Sequence, residues 1–161
     1  MRKSAFLSYS LQDSELYTIS IISKYLNEQG FFVQSANKAA NFPGRPVLDV
    51  VRRAIINANL FIGIASTEGV QSEYMIREWE EAQRYNVPRI FIIENSVNLN
   101  PAFTDQNTVI RFDRRNPQQS LNRLKAMVEN QKKNSAGKIL PWVVGGLLGM
   151  AVIKLLSDNN K

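Results

Sequence analysis

The sequence predicts an α/β domain, a five-stranded parallel sheet flanked by helices, followed by one C-terminal hydrophobic helix. Three observations support this architecture. Short apolar runs alternate with segments whose apolar residues recur every three or four positions over residues 1–130. Residues that favour turns or helix ends, such as Gly30 and Pro46, separate these segments. A continuous apolar stretch at 139–156 stands outside the alternation. Because strands that alternate with helices form parallel sheets, we expect helices on both faces.

The predicted strands are short and rich in β-branched, aromatic and aliphatic residues. They cover residues 5–10, 31–35, 60–65, 89–94 and 108–112. The predicted helices are 14–29, a second that starts at Pro46 and carries apolar residues as far as Ala58, a third that follows Ser72, and a fourth from Pro117 to residue 130. The first helix is apolar on more than one face, so we expect it to be well covered. In the second, Val50 and Val51 are among the apolar residues that recur at helical spacing.

The third predicted helix combines an apolar stripe with a carboxylate at its edge. Met75, Trp79 and Ala82 recur at helical spacing and predict its buried face. Glu78 lies about 60° from Met75, at roughly 100° per residue. A carboxylate in this place can act as an acid, a base or a clamp for a cation. Alternatively it is a solvated acid on an acidic helix, because three further glutamates lie nearby, namely Glu73, Glu80 and Glu81.

Three loops should meet this helix at one edge of the sheet. In open α/β sheets, ligands bind at the carboxyl ends of the strands, near a switch in strand order. Residues 8–11, 37–45 and 66–72 follow the first, second and third predicted strands and lie at that end. The sequence therefore predicts a site formed by these loops and by the start of the Glu78 helix.

The composition excludes several kinds of chemistry. The chain has neither cysteine nor histidine, which excludes disulfides, thiolate metal sites and the commonest general base. The glycine-rich loops that usually cradle phosphates, GxxxxGK[ST] and GxGxxG, do not occur. Catalysis would therefore depend on Asp, Glu, Lys, Tyr or Ser, and we expect no metal site.

The C-terminal part of the chain predicts a membrane anchor. We divide the chain into a domain (1–130), a basic and polar linker (131–138), a transmembrane helix (139–157) and a short polar tail (158–161). A helix over 139–156 would be roughly 27 Å long, which is at the short end for spanning a bilayer core. Gly145 and Gly149 form a GxxxG motif through which two such helices can pack closely. The alternative is a buried or interfacial helix.

The basic residues before this stretch predict its orientation. The formal charge of the chain is +6, and the excess lies in residues 111–138. By the positive-inside rule these residues place the N-terminal domain in the cytoplasm. A nucleic-acid surface would explain the charge but not its position, so we expect no nucleic-acid partner.

Three stretches together resemble the Toll/interleukin-1 receptor (TIR) domain family. Residues 4–13, Ser-Ala-Phe-Leu-Ser-Tyr-Ser-Leu-Gln-Asp, are similar to its first box. Residues 42–55, Phe-Pro-Gly-Arg-Pro-Val-Leu-Asp-Val-Val-Arg-Arg-Ala-Ile, resemble its glycine-bearing loop and the following helix. Ser66 and residues 72–78, Ser-Glu-Tyr-Met-Ile-Arg-Glu, resemble its Ser-x-aromatic-x-x-x-Glu stretch. The sequence departs from the family at Tyr74, where tryptophan is usual, and in 96–107, which shows no helix between the last two strands.

The resemblance implies a flavodoxin-like TIR fold, bacterial in type, and an enzymatic activity. Many bacterial and plant TIR domains cleave NAD+ between nicotinamide and ribose, and their catalytic glutamate corresponds to Glu78. NAD+ is then the substrate, and no other cofactor is implied. The resemblance also implies self-association through TIR surfaces and a role in defence against phage. The substrate-binding residues that it implies are Ser8, Tyr9, Ser10, Phe42, Arg45, Ser66, Ser72 and Tyr74.

Three other functions stay open at this point. The domain could be a non-catalytic, membrane-anchored interaction module in which Glu78 is a structural acid. It could resemble nucleoside deoxyribosyltransferases, which share the general fold and use a glutamate to attack a deoxyribose. Finally, the hydrophobic helix could itself perturb the membrane when the protein assembles.

Overall fold

Five parallel strands form one sheet in the computed structural model, which describes residues 2–9, 16–36, 46–65, 73–97 and 109–134. The strands are β1 (Lys3–Tyr9), β2 (Phe31–Ser35), β3 (Leu60–Ala65), β4 (Arg89–Glu94) and β5 (Val109–Phe112). The helices are α1 (Leu16–Glu28), α2 (Asp49–Ile56), α3 (Glu73–Arg84) and α4 (Pro117–Asn134). The predicted five-stranded parallel sheet flanked by helices is confirmed.

The strand order creates a switch point between β1 and β3. The sheet has the order β2-β1-β3-β4-β5, so the chain leaves β1 towards one side for β2 and crosses to the other side for β3. Ser8 of β1 lies opposite Gly63 of β3 in the parallel register. Loops that leave two strands in opposite directions open a crevice at the carboxyl ends of those strands. A ligand site is therefore expected at the carboxyl ends of β1 and β3.

The two faces of the sheet belong to different hydrophobic clusters. The cluster that includes α2 and α3 is centred on aromatic rings from three strands and one helix, Phe6, Phe61, Phe91 and Trp79. The cluster that includes α1 and α4 is mostly aliphatic, with Leu7, Ile62, Ile92 and Ile110 among its strand residues. Because successive side chains of a strand point to opposite faces, Phe6 and Leu7 lie in different clusters, as do Phe61 and Ile62.

Some apolar residues of α1 and α2 are exposed, and the expectation that the first helix is well covered is wrong for its first turn. Val50 is 68% exposed, because the buried face of α2 is centred on Val51 and Ile55, and Val50 lies about 100° from Val51 around the helix. Leu16 and Tyr17 are also exposed, since they lie in the first turn of α1 on the side away from Ile22 and Leu26. An apolar residue in a helix is therefore buried only if it lies on the side of the helix that faces the sheet.

The last helix extends further than the sequence predicts. It continues through Asn134 and so enters the segment predicted as a linker, 131–138. Gln and Lys at 131–133 extend a helix at little cost because both are good helix formers. Within the part of the chain described by the structure, no helix is long and apolar enough to cross a membrane. The predicted transmembrane helix, 139–157, lies outside the described residues, so it stays a prediction.

Candidate functional site

Glu78 is buried, although the sequence predicts it at the edge of an apolar stripe. It is 3% exposed, in the middle of α3, which packs against β1 and β3. The tertiary contacts decide this, because α3 meets the sheet and also packs against α2, so a wider face of the helix is covered than its apolar residues alone mark out. Glu78 is thus a buried carboxylate on a helix that packs against the two strands of the switch point, and not a solvated acid on an outer surface.

Ser8 of β1 is a second buried polar residue on the side of the sheet that α3 covers. It is 1% exposed. Because it follows Phe6 by two residues along β1, its side chain points to the same face of the sheet, which α2 and α3 cover. Among the described residues, its hydroxyl oxygen has no hydrogen-bond partner. A buried hydroxyl without a partner costs about 1–3 kcal/mol. An unpaired group of this kind is expected where a ligand or a water completes the hydrogen bond.

Small side chains line this face near the carboxyl ends of β1 and β3. Ser8, Gly63 and Ala65 follow the large rings of Phe6 and Phe61 along the same face. A Cβ atom on Gly63 would lie 3.1 Å from Cε2 of Phe91 and 3.5 Å from Cε3 of Trp79. Glycine at 63 therefore lets Trp79, the residue directly after Glu78, rest close to the sheet.

Aromatic contacts and a buried arginine hold Trp79 in this place. Its ring lies edge-on to Phe91, with centroids 4.9 Å apart, and to Phe61, with centroids 5.9 Å apart. The guanidinium carbon of Arg89 lies 5.6 Å from the centroid of the Trp79 ring. Arg89 also donates from Nη1 to the carbonyl oxygen of Ala82, at 3.2 Å, near the end of α3. Burial lowers the pKa of Arg89 below its usual value.

Sequence reasoning missed a second buried carboxylate on the same helix. It treats Glu81 as one of the solvated neighbours of Glu78, but Glu81 is 6% exposed. Its Oε2 accepts from Nε of Arg52 at 3.2 Å, and its Oε1 accepts from Nη1 of Arg84 at 3.0 Å. The spacing of Glu81 and Arg84 is visible in the sequence as an i,i+3 pair. The contact with Arg52 is not visible there, because it depends on how α2 packs against α3.

The arrangement can stabilise a positive charge without an imidazole. A carboxylate shielded from water acts in a lower effective dielectric, where its attraction for a nearby cation is stronger than in water. Across the described ranges, no group of three or more acidic side chains could hold a metal ion.

Comparison with known proteins identifies the fold. The structure is similar to the TIR domains in the structure of the activated Roq1 resistosome directly recognizing the pathogen effector XopQ. The match has a TM-score of 0.51 and covers 96% of this chain and 83% of that chain. The fold is TIR-like. Sequence identity in this match is 13%, so the likeness extends to the fold alone. No family model and no curated protein matches the chain.

The TIR-like domain brings two of the predicted site residues to one face, and it places a third on the other face. Ser8 and Glu78 belong to the layer formed by the sheet with α2 and α3. Tyr9 packs instead against the aliphatic cluster on the opposite face, and its hydroxyl donates to Oγ of Ser35 at 3.4 Å. The alternation of side chains along β1 separates Ser8 from Tyr9, so the two cannot face the same part of a ligand from within the strand.

The remaining predicted site residues lie outside the described part of the TIR-like domain. Five of them fall between the described ranges, namely Ser10, Phe42, Arg45, Ser66 and Ser72. Tyr74 is the second residue of α3, and its side chain is likewise outside the described part. Their assignment to a substrate site stays a prediction.

Proposed function

We propose that this TIR-like domain cleaves NAD+ at the bond between nicotinamide and ribose, with Glu78 as the catalytic carboxylate. The observation that carries the proposal is the position of Glu78: it is 3% exposed, on a helix that packs against β1 and β3, the two strands on either side of the switch point. The resemblance of the chain to NAD+-cleaving TIR domains, with Glu78 at the glutamate of the Ser-x-aromatic-x-x-x-Glu stretch, supports the same assignment.

The proposed chemistry needs no general acid for the leaving group. The bond from the ribose anomeric carbon to the pyridinium nitrogen breaks, and its electron pair stays with nicotinamide, which becomes neutral. The sugar is left as an oxocarbenium-like cation, comparable to that in glycoside hydrolysis. The Glu78 carboxylate stabilises this cation. Water then bonds to the anomeric carbon and loses a proton to solvent, which gives ADP-ribose. Capture by a nitrogen of the adenine ring gives a cyclic product instead.

We propose further that activity follows self-association at a membrane. The matched structure is described as an activated resistosome that recognises a pathogen effector, which favours an immune role for this chain too, and the resemblance to bacterial TIR domains points to defence against phage. The proposed anchor is the helix at 139–157, with the domain in the cytoplasm. The GxxxG motif of Gly145 and Gly149 would bring protomers together in the bilayer.

The decisive experiment compares two glutamates of α3. Glu78→Gln keeps the size of the side chain but removes its charge, and we expect it to lower NAD+ cleavage by roughly 10²- to 10³-fold, the usual range for loss of a preorganised electrostatic group. Glu80→Gln is the matched control, because Glu80 is exposed on the same helix, and it should keep the wild-type rate within about twofold.

The measurement uses the full chain extracted from membranes, with the nucleotides quantified by mass spectrometry. Mass spectrometry also separates ADP-ribose from a cyclic product. Equal rates in the wild type and in Glu78→Gln would rule out the enzymatic proposal. The non-catalytic interaction module would then be the better description of this domain.

A further inference from the structure

A second carboxylate on α3 lies close to the proposed catalytic one. Glu81 follows Glu78 by three residues, and residues three apart lie on the same side of a helix. Glu81 is buried, with 9% of its side chain exposed. An ionised carboxylate is costly to bury unless cations and hydrogen-bond donors compensate it. The partners of Glu81 therefore constrain the position of this side of α3.

The two arginines that compensate Glu81 differ in what they connect. Arg84 belongs to α3 itself, its side chain is 65% exposed, and it moves with the helix. Arg52 belongs to α2, and its side chain is 31% exposed. Besides its bond to Glu81, Arg52 donates from Nη1 to Oδ1 of Asp49 at 2.8 Å, which holds the guanidinium in place. Of these two arginines, Arg52 is the one that ties α3 to another element.

We propose that Arg52 is a positioning residue for NAD+ cleavage: by pairing with Glu81, it holds α3 at the depth and rotation that present Glu78 to the substrate. This inference rests on the proposed function. Without Arg52, Glu81 would keep a single partner, on its own helix and largely in solvent. The helix would then have to shift so that water can reach Glu81, and Glu78 on the same side would shift with it.

The expected effect is large because catalysis is sensitive to small displacements. A misplacement of about 1 Å can cost about 10²-fold in rate. We therefore expect Arg52→Ala to lower kcat for NAD+ cleavage at least tenfold. Arg52 is proposed to act on the geometry of Glu78 and not on the affinity for NAD+, so KM should stay within about threefold of the wild-type value.

Steady-state kinetics on the full chain test the proposal with a matched control on the same carboxylate. Arg84→Ala removes the other cation of Glu81 without releasing α3 from α2, and we expect kcat and KM within about threefold of the wild type. Arg52→Lys keeps a cation and should recover part of the lost kcat. In the double variant Arg52→Ala with Glu81→Gln, kcat should be no lower than in the worse single variant, because both changes break the same link.

A second control separates positioning from loss of stability. Arg114→Ala removes the arginine that pairs with Glu94, a buried carboxylate in the other layer, whose Oε1 lies 2.7 Å from Nη2 of Arg114. We expect it to lower the melting temperature about as much as Arg52→Ala. Its kcat per folded molecule should stay within about threefold of the wild type, since it leaves α3 in place.

The outcomes distinguish this inference from the proposed function. If the wild type does not cleave NAD+, the proposed function fails and the role of Arg52 fails with it. If the wild type is active and Arg52→Ala keeps its kcat, or if Arg84→Ala loses as much, the positioning role alone is overturned. Should Arg52→Ala not fold, Arg52→Lys and Glu81→Gln decide: each should lower kcat at least threefold, and unchanged kcat in both overturns the inference.

Discussion

The two faces of the sheet are packed by different kinds of side chain. Phe6, Phe61 and Phe91 meet Trp79 on the face covered by α2 and α3. The opposite face, covered by α1 and α4, contains mainly leucine and isoleucine. In this layer the central strands β3 and β4 contribute only aliphatic side chains to the cluster, namely Leu60, Ile62, Ile64, Ile90 and Ile92. On the aromatic face the large rings give way to Ser8, Gly63 and Ala65 towards the carboxyl ends of the central strands.

The faces also differ in how many of their buried polar atoms have a hydrogen-bond partner. Each contains a buried carboxylate that is well paired: Glu81 with its two arginines, and Glu94, whose Oε1 accepts from Thr18 at 3.0 Å and from Nη2 of Arg114 at 2.7 Å. Among the described residues, three buried polar atoms lack a hydrogen-bond partner, and two of them, Oγ of Ser8 and Nε1 of Trp79, lie on the aromatic face with Glu78. Local rules of packing and pairing are relaxed where a protein binds ligands, which favours the aromatic face as the functional one.

The largest effect on stability is expected when one core side chain on each face is truncated, and this pair of variants tests the comparison of the two faces. Trp79→Ala should lower the free energy of unfolding by about 3–5 kcal/mol, and Ile92→Ala on the other face by about 2–5 kcal/mol. Trp79→Ala should also abolish the proposed NAD+ cleavage in the molecules that stay folded, because Trp79 adjoins Glu78. Chemical denaturation gives the free energies, and activity is measured per folded molecule. Equal activity losses on both faces would show that the faces do not differ in function.

An added methyl group at Gly63 should have a smaller effect. Gly63→Ala places a Cβ atom 3.1 Å from the Phe91 ring, so the ring must move, and we expect a loss of about 1–3 kcal/mol. Gly30→Ala is a useful contrast: among the described residues other than its chain neighbours, no atom lies within 4 Å of its Cβ position, but its φ is +84°. It should cost about 1–2 kcal/mol from backbone strain alone and leave activity unchanged. An unchanged free energy of unfolding in Gly63→Ala would contradict a close fit of Phe91 and Trp79 against the sheet at this position.

The smallest effect is expected from a change on the aliphatic face, at Tyr25, whose hydroxyl oxygen is the third buried atom without a partner among the described residues. Burial, and secondarily the charge of Glu129, raise the pKa of Tyr25 to about 12. Its ordinary value is near 10, so between about pH 10 and 12 the unfolded chain loses this proton first, and the free energy of unfolding falls as pH rises. Tyr25→Phe should remove that part of the decline and change little at neutral pH. Denaturant unfolding at pH 9, 10 and 11 measures the difference, and identical slopes would contradict it.

Much of the fold follows from local patterns in the sequence. The bounds of β2, β3 and β4 agree with the predicted strands 31–35, 60–65 and 89–94, because short apolar runs between turn residues have few alternatives. The end of α4 could not be predicted as well. Helix formers at 131–133 allow the helix to continue, and no local signal there stops it.

The candidate site was less predictable than the fold. The sequence predicts Glu78 from its spacing and from a family resemblance, but its amphipathic pattern indicates a partly exposed carboxylate. Whether a residue at the margin of an apolar stripe is covered depends on the neighbouring elements, here α2 and the ends of β1 and β3. The separation of Ser8 and Tyr9 has a different cause, which is local: successive side chains of β1 point to opposite faces of the sheet.

The sequence by itself determined the order of strands and helices along the chain, the division of each strand into two faces, and the residue types available for chemistry. These follow from side-chain periodicity and from composition, which are local properties of the chain. The tertiary structure alone decided that Glu78 and Glu81 are buried, that Arg52 reaches across from α2, and that Trp79 rests over Gly63. These depend on which elements meet, because the cost of burying a charge and the room for a ring are set by atoms that are distant in sequence.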